Sequence, residues 1–281
     1  MADDGDFDMS EDVGTKKSKV KLKLEGTVSI IIIVILILLV IFKTSLLSGG
    51  AGLFHSSGTS ILVIGAPTVD FQRVLSDAEN KDLIKQLRFV TVDSIQHNPY
   101  ERLKPYDIVI LDQSTTANKS IPRTVGEAIR SFVQAGGSLI VVGNSGIERP
   151  GDVSVIGWRA TFGDLIPVTC DTGIYSTSTC KQTLHINAVL YADRSDSKTG
   201  AYKIMYGIPR VPALEAYGLL PTETYDVHVT GTEIAYLEDA ASGMTYPAIV
   251  ESPRMIGKVL YFNYNPGLSE AIFVNAIKYM K

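Results

Sequence analysis

Few side chains in this chain are of types that do chemistry, and their spacing limits what that chemistry can be. The four histidines are His55, His97, His185 and His228. His55 falls in a Gly- and Ser-rich stretch and His97 in a loop before Pro99, whereas His185 (LHIN) and His228 (DVHV) sit in alternating, strand-like runs. A lone strand histidine is more often a surface or hydrogen-bonded core position than a base. Glu238-Asp239 pairs two carboxylates ahead of AASG and reads as a solvated turn. Asp112 stands apart because it ends the apolar run YDIVILD, and open α/β sheets bind ligands beyond the carboxyl ends of their strands. A helix cap or a loop hydrogen bond is its plainer role. No second Cys or His pair has ligand spacing, so no metal is expected. Gly65-Ala66-Pro67 is too short and rigid to cradle a phosphate, and no cofactor is expected. Cys170 and Cys180 are the only cysteines. In an oxidising compartment they can close a short loop, worth roughly 2 to 3 kcal/mol, and two separate thiols are the alternative. Asn118-Lys119-Ser120 is a sequon that permits glycosylation.

The elements that must position these residues follow from hydropathy. Short continuous apolar runs, ILVIG (61–65), RFVTVD (88–93), YDIVILD (106–112) and SLIVVG (138–143), predict strands buried on both faces. A helix is expected around Asp70 to Gln86. Another is expected from Pro122 to Ala135, where Val125, Ile129, Phe132 and Val133 fall at helical spacing and Gly136-Gly137 stops it. From Glu148 to about Thr245 the sequence is irregular, with alternating stretches TYDVHVTG (224–231) and TEIAYLED (232–239) that predict antiparallel strands on the same core. YPAIVES (246–252), KVLYFNYN (258–265) and a helix from Ser269 to Tyr279 close the chain. The expected fold class is α/β: a three-layer, mostly parallel, flavodoxin-like sheet with an antiparallel extension, preceded by one transmembrane helix.

That helix is read at 26–43. GTVSIIIIVILILLVIF carries no charge, and at ~1.5 Å per residue it just reaches across a ~30 Å hydrocarbon core. A cleavable signal peptide is the rival, but a long polar segment precedes the run, which suits a retained signal-anchor better. Lys16, Lys17, Lys19, Lys21 and Lys23 lie before it and only Lys43 follows before Arg73, which orients the N-terminus to the cytoplasm. The domains expected are therefore a disordered cytoplasmic tail (1–25), the anchor (26–43), a flexible linker (44–60) and an extracytoplasmic domain (61–281). The lipid bilayer is the partner of residues 26–43. A net charge of −4 and the lack of a basic, aromatic-interleaved stripe argue against nucleic acid.

The pieces ILVIGAP, YDIVILD, AIRSFVQAGGSLIVVGNSG and YPAIVESPRMIGKVLYFNYNPG together resemble the class I glutamine amidotransferase-like superfamily, over roughly residues 60–281. The resemblance implies a cysteine nucleophile in a strand-to-helix turn, where this chain has Gly143-Asn144-Ser145-Gly146-Ile147. It also implies a His base and Glu orienter near the last strand, where Asn265 and Gly267 stand. Ser145, Asn265 and Gly267 are thus degenerate positions: Asn265 cannot take up a nucleophile's proton and Gly267 offers no carboxylate. The function this implies is a membrane-anchored, non-catalytic amidotransferase-like domain binding a protein or glycan at the cell envelope, as an accessory of a transporter or envelope complex. Asp112, Asn144, Ser145 and Asn265 are the ligand-cleft candidates. The alternative is an extracytoplasmic hydrolase of sugar or peptide using Ser145 and a histidine, His185 or His228.

Overall fold

Three apolar runs without a polar interruption lie inside the sheet, whereas the strand expected at RFVTVD (88–93) instead spans IKQLRFV (84–90) and is a mostly exposed edge, not buried on both faces. In chain order these four are β1 (Thr59–Gly65), β2 (Ile84–Val90), β3 (Ile108–Asp112) and β4 (Ser138–Val142), connected through the helices α1 (Val69–Asn80), α2 (Pro99–Leu103) and α3 (Arg123–Gln134). The irregular region supplies β5 (Glu148–Arg149), β6 (Asp152–Ile156), helix α4 (Arg159–Phe162), β7 (Val168–Thr169), β8 (Leu184–Ala192), β9 (Leu220–Thr224) and β10 (His228–Val229). It is followed by β11 (Thr232–Asp239), β12 (Thr245–Glu251), β13 (Val259–Phe262) and helix α5 (Glu270–Met280). The structure, a computed structural model, describes residues 58–170, 179–192, 203–207, 220–252 and 256–281, all within the unit Ser56–Lys281.

Nine strands form one open sheet in the order β2-β1-β3-β4-β13-β12-β11-β8-β9. Successive residues of the central strands serve opposite faces, as a period of two requires. Ile61, Val63, Ile108 and Ile110 pack with Phe71 and Leu75 of α1 and with Phe273 and Ile277 of α5. Leu62, Ile64, Val109 and Leu111 pack with Val125, Ile129 and Val133 of α3 on the other side. Thr68 starts α1 by accepting the Phe71 N–H at 3.3 Å, so the hydroxyl satisfies one of the helix's orphan donors. The helix ends six residues earlier than the spacing predicts. Asp82 turns the chain at φ 58°, a left-handed stop without glycine, and Ile84 already begins β2.

The expected fold class is corrected in its sheet. The sheet is evenly mixed, not mostly parallel: β1–β2, β1–β3, β3–β4 and β4–β13 pair parallel, and β13–β12, β12–β11, β11–β8 and β8–β9 pair antiparallel. The reason is edge pairing. β12 and the alternating strands β11, β8 and β9 continue the hydrogen-bond ladder beyond β13 and widen the sheet from five strands to nine, with Ala188, Leu190, Leu237 and Ile249 joining the core. The expected transmembrane helix at 26–43 lies outside the described residues, as do the tail and most of the linker. Among the described residues no helix is long and apolar enough to cross a membrane.

Candidate functional site

Asp112 ends β3 directly opposite Gly65, the last residue of β1. Gly65 has φ +117°, and a Cβ there would lie 2.1 Å from the Asp112 carbonyl oxygen, so only glycine lets the two strand ends close. Asp112 is 1% exposed. Its Oδ1 accepts from the Ser114 N–H at 2.8 Å and from the Ser114 hydroxyl at 2.5 Å, while Oδ2 meets no hydrogen-bond partner among the described residues. Burial pushes the carboxyl up to about 6, and the Ser114 hydrogen bonds and the Lys119 charge only partly oppose it. Burial also lowers the Lys119 ammonium, against the opposing pull of Asp112, Glu223 and Glu148. Lys119 Nζ donates to the carbonyls of Gln113 and Ser114.

Gln113 fastens this strand end to its surroundings. Its backbone N–H donates to Ser145 Oγ at 2.8 Å, and its Oε1 accepts the Gly146 N–H at 2.9 Å. Its Nε2 reaches the carbonyls of Asn118 and Ser120 at 3.3 and 3.4 Å. Ser145, one of the candidates read from sequence, is therefore tied to the residue that follows another, Asp112, while Asn144 is buried in the same 143–147 turn and its carbonyl accepts the Ile147 N–H at 3.4 Å. Ser145 itself is 0% exposed, and its hydroxyl donates to the Val142 carbonyl at 2.6 Å. Both of its hydroxyl hydrogen bonds run to backbone and none to a histidine. His185 lies exposed on β8, 3.7 Å from Glu223, and His228 lies exposed on β10. The geometry proposed for a serine hydrolase, a histidine within reach of Ser145, is not formed.

Asn265 belongs to another junction. Its Oδ1 accepts from the Gly267 N–H and the Thr68 hydroxyl, both at 3.0 Å, and joins the end of β13 to the start of α1. A Cβ at Gly267 would lie 2.5 Å from Phe71 N, so close approach to α1 is what keeps a side chain out of that position. Glu238-Asp239 is not a solvated turn but the end of β11: Asp239 is buried there and accepts from Ala241 N, Ser242 N and the Ser242 hydroxyl of the turn that follows, which hold its carboxyl below the usual range. Cys170 and Cys180 are joined by a disulfide, with Cα atoms 5.6 Å apart. Among the described residues no cluster of His, Cys, Asp or Glu could hold a metal ion.

A crevice of about 680 Å³ opens at the carboxyl ends of β1, β2 and β3. β2 lies on one side of β1 and β3 on the other, so this is the point where the chain reverses its winding direction along the sheet. Helices leave such a point on opposite faces, which creates a hollow by topology alone. Its walls carry Thr91 and Gln96 after β2, Gln113 and Asn118 after β3, Arg123 at the start of α3 and Arg149 from β5. Two other hollows, about 870 Å³ beside Trp158 and Cys170 and about 760 Å³ between α1 and α5, lie away from those strand ends. The sequence named Asp112 at this end of the sheet and Asn118 as a sequon, but not Thr91, Gln96, Gln113, Arg123 or Arg149 as residues that line the crevice. The strand-end rule was available for them: applied to β2 as well as β3, it points to Thr91 and Gln113.

No protein-family model matches the sequence, and no curated protein does. Solved structures do. The chain is similar to the cold-adapted β-galactosidase from Rahnella sp. R3, with a TM-score of 0.50 and 17% identity over 78% of this chain and 31% of that one. A β-galactosidase from Bacillus circulans sp. alkalophilus (TM-score 0.47, 14% identity, 79% and 30% covered) and a carbohydrate deacetylase (0.44, 10%, 78% and 32%) are further neighbours. The chain thus spans about a third of the length of the structures it matches. These findings correct the resemblance drawn from sequence: the fold is matched by the Rahnella β-galactosidase structure, and no amidotransferase-like family model matches. The reading as a degenerate pseudoenzyme acting as a non-catalytic membrane accessory rested on that resemblance and is withdrawn with it. What the likeness to the Rahnella enzyme shows at this identity is the fold of one portion of a larger protein.

Proposed function

We propose that this domain serves glycan processing by holding a saccharide in the crevice at the ends of β1, β2 and β3. One observation carries the reading: a hollow of about 680 Å³ at the sheet's winding reversal, whose partly apolar wall carries amides, hydroxyls, the Asp93 carboxylate and two guanidinium groups. Such groups match the dense, neutral hydroxyl array of a sugar, each good hydrogen bond adding about 0.5 to 1.5 kcal/mol. The similarity of fold to the Rahnella β-galactosidase is consistent with this assignment. The test is titration of the full chain in detergent with a panel of galactosides, mannosides and N-acetylated saccharides. Gln96→Ala and Arg123→Ala should each weaken binding about 3- to 10-fold. Absence of binding by any saccharide rejects the reading.

One observation favours a catalytic part in that processing. Asp112, buried next in the chain to the crevice residue Gln113, has its carboxyl pushed up to about 6 by burial, toward the range a proton donor or acceptor needs. Turnover of chromogenic glycosides or acetylated sugars that is lost in Asp112→Asn supports it, and turnover unchanged in that variant removes it. We also propose, on the sequence of residues 16–43, that the chain is attached to the bilayer with this domain on the extracytoplasmic side.

A further inference from the structure

Asn118 is a crevice residue with a chemistry that ligand binding does not use. It is exposed on the loop between β3 and α3, inside the acceptor triplet Asn118-Lys119-Ser120. The side chain is already arranged: Oδ1 accepts the Ser120 N–H at 2.9 Å and the Ser120 hydroxyl at 2.5 Å. Among the described residues no hydrogen bond engages Nδ2, so a substituent there breaks none of them. The backbone beneath is fixed independently, because the Asn118 carbonyl accepts from Gln113 Nε2 and from the Thr116 hydroxyl at 3.2 Å. The Cys170–Cys180 disulfide belongs to an oxidising compartment, where N-glycosylation also takes place.

We propose that Asn118 carries an N-linked glycan and that this glycan, rooted in the crevice wall, screens the crevice mouth. In its attachment Nδ2 bonds to the anomeric carbon of a glycosyl phosphate donor. The donor's C1–O bond breaks, the phosphate leaves with the electron pair, and Nδ2 gives up one proton to a base of the transferase. The inference goes beyond the saccharide reading and does not depend on which ligand the crevice takes.

Mass spectrometry of the full chain isolated from its own cells tests the first half. The proteolytic fragment containing residue 118 should carry a glycan mass in the wild type and in Ser120→Thr, and none in Asn118→Gln or Ser120→Ala. An unmodified wild-type fragment overturns the proposal. Phenylglyoxal labelling tests the second half through Arg123, whose exposed guanidinium stands in the same wall. Labelling should run at least threefold faster in Asn118→Gln and Ser120→Ala than in the glycosylated wild type. Equal rates overturn the screening role even where the glycan is present.

Discussion

Asp112 burdens the fold at neutral pH. Its carboxyl titrates at about 6 in the native state against 3.8 in an open chain, because burial without a partner for Oδ2 disfavours the charge. The native state therefore holds this proton more tightly than the unfolded state does. The associated stability is complete below pH ~4 and is lost as pH rises through ~6, a loss of up to about 3 kcal/mol. Asp112→Asn keeps an oxygen for Ser114 and cannot ionise. Urea unfolding at pH 7.5 should find the variant about 1 to 3 kcal/mol more stable than wild type, the gap closing toward pH 4. Parallel stability profiles for the two proteins would show that Asp112 is solvated. Sequence alone marked Asp112 because a carboxylate closing an apolar strand is conspicuous. Gln113 was not marked, since its importance lies in three hydrogen-bond partners 5 to 33 residues away, which no local pattern encodes.

Among the elements, β1, β3 and β4 are legible as uninterrupted apolar runs and β11 has the bounds TEIAYLED suggests, whereas β2, an edge strand with Lys85, Gln86 and Arg88 exposed, starts four residues before the run RFVTVD. Helix α1 was read too long because its stop, Asp82 at φ 58°, uses neither glycine nor proline. The width of the sheet was unreadable for a related reason: strand order is decided by which edges meet, and the pattern of β8 fits any half-buried partner. Two junctions test how the elements are fastened. Gly267→Ala forces a methyl to within 2.5 Å of Phe71 N and should cost about 1 to 3 kcal/mol in chemical denaturation. A loss below ~0.3 kcal/mol would mean that α1 and the 266–268 turn separate freely. Reduction of the Cys170–Cys180 disulfide opens a loop of sequence separation 10 and should cost roughly 2 to 3 kcal/mol, read as a lower melting temperature in reductant.

The whole molecule combines a wide mixed sheet with a crevice produced by the sheet's own winding, and with an apolar N-terminal segment known from sequence. Attachment through residues 26–43 predicts that the full chain stays in the membrane pellet after carbonate extraction, whereas a chain starting at residue 56 is released. Release of the full chain would remove the bilayer from its partners. The position of the crevice could be anticipated, since strand ends at a winding reversal form hollows. Its lining and volume could not, because they depend on Arg149 arriving from β5, beyond the parallel strands in sequence. The most direct measurement is saccharide titration of the full chain, followed by NMR of the Thr91, Gln96 and Asn118 amide resonances. Binding to the crevice predicts saturable shifts at all three that weaken 3- to 10-fold in Gln96→Ala. No shift with any saccharide, or shifts confined to the hollows beside Trp158 or between α1 and α5, would contradict it.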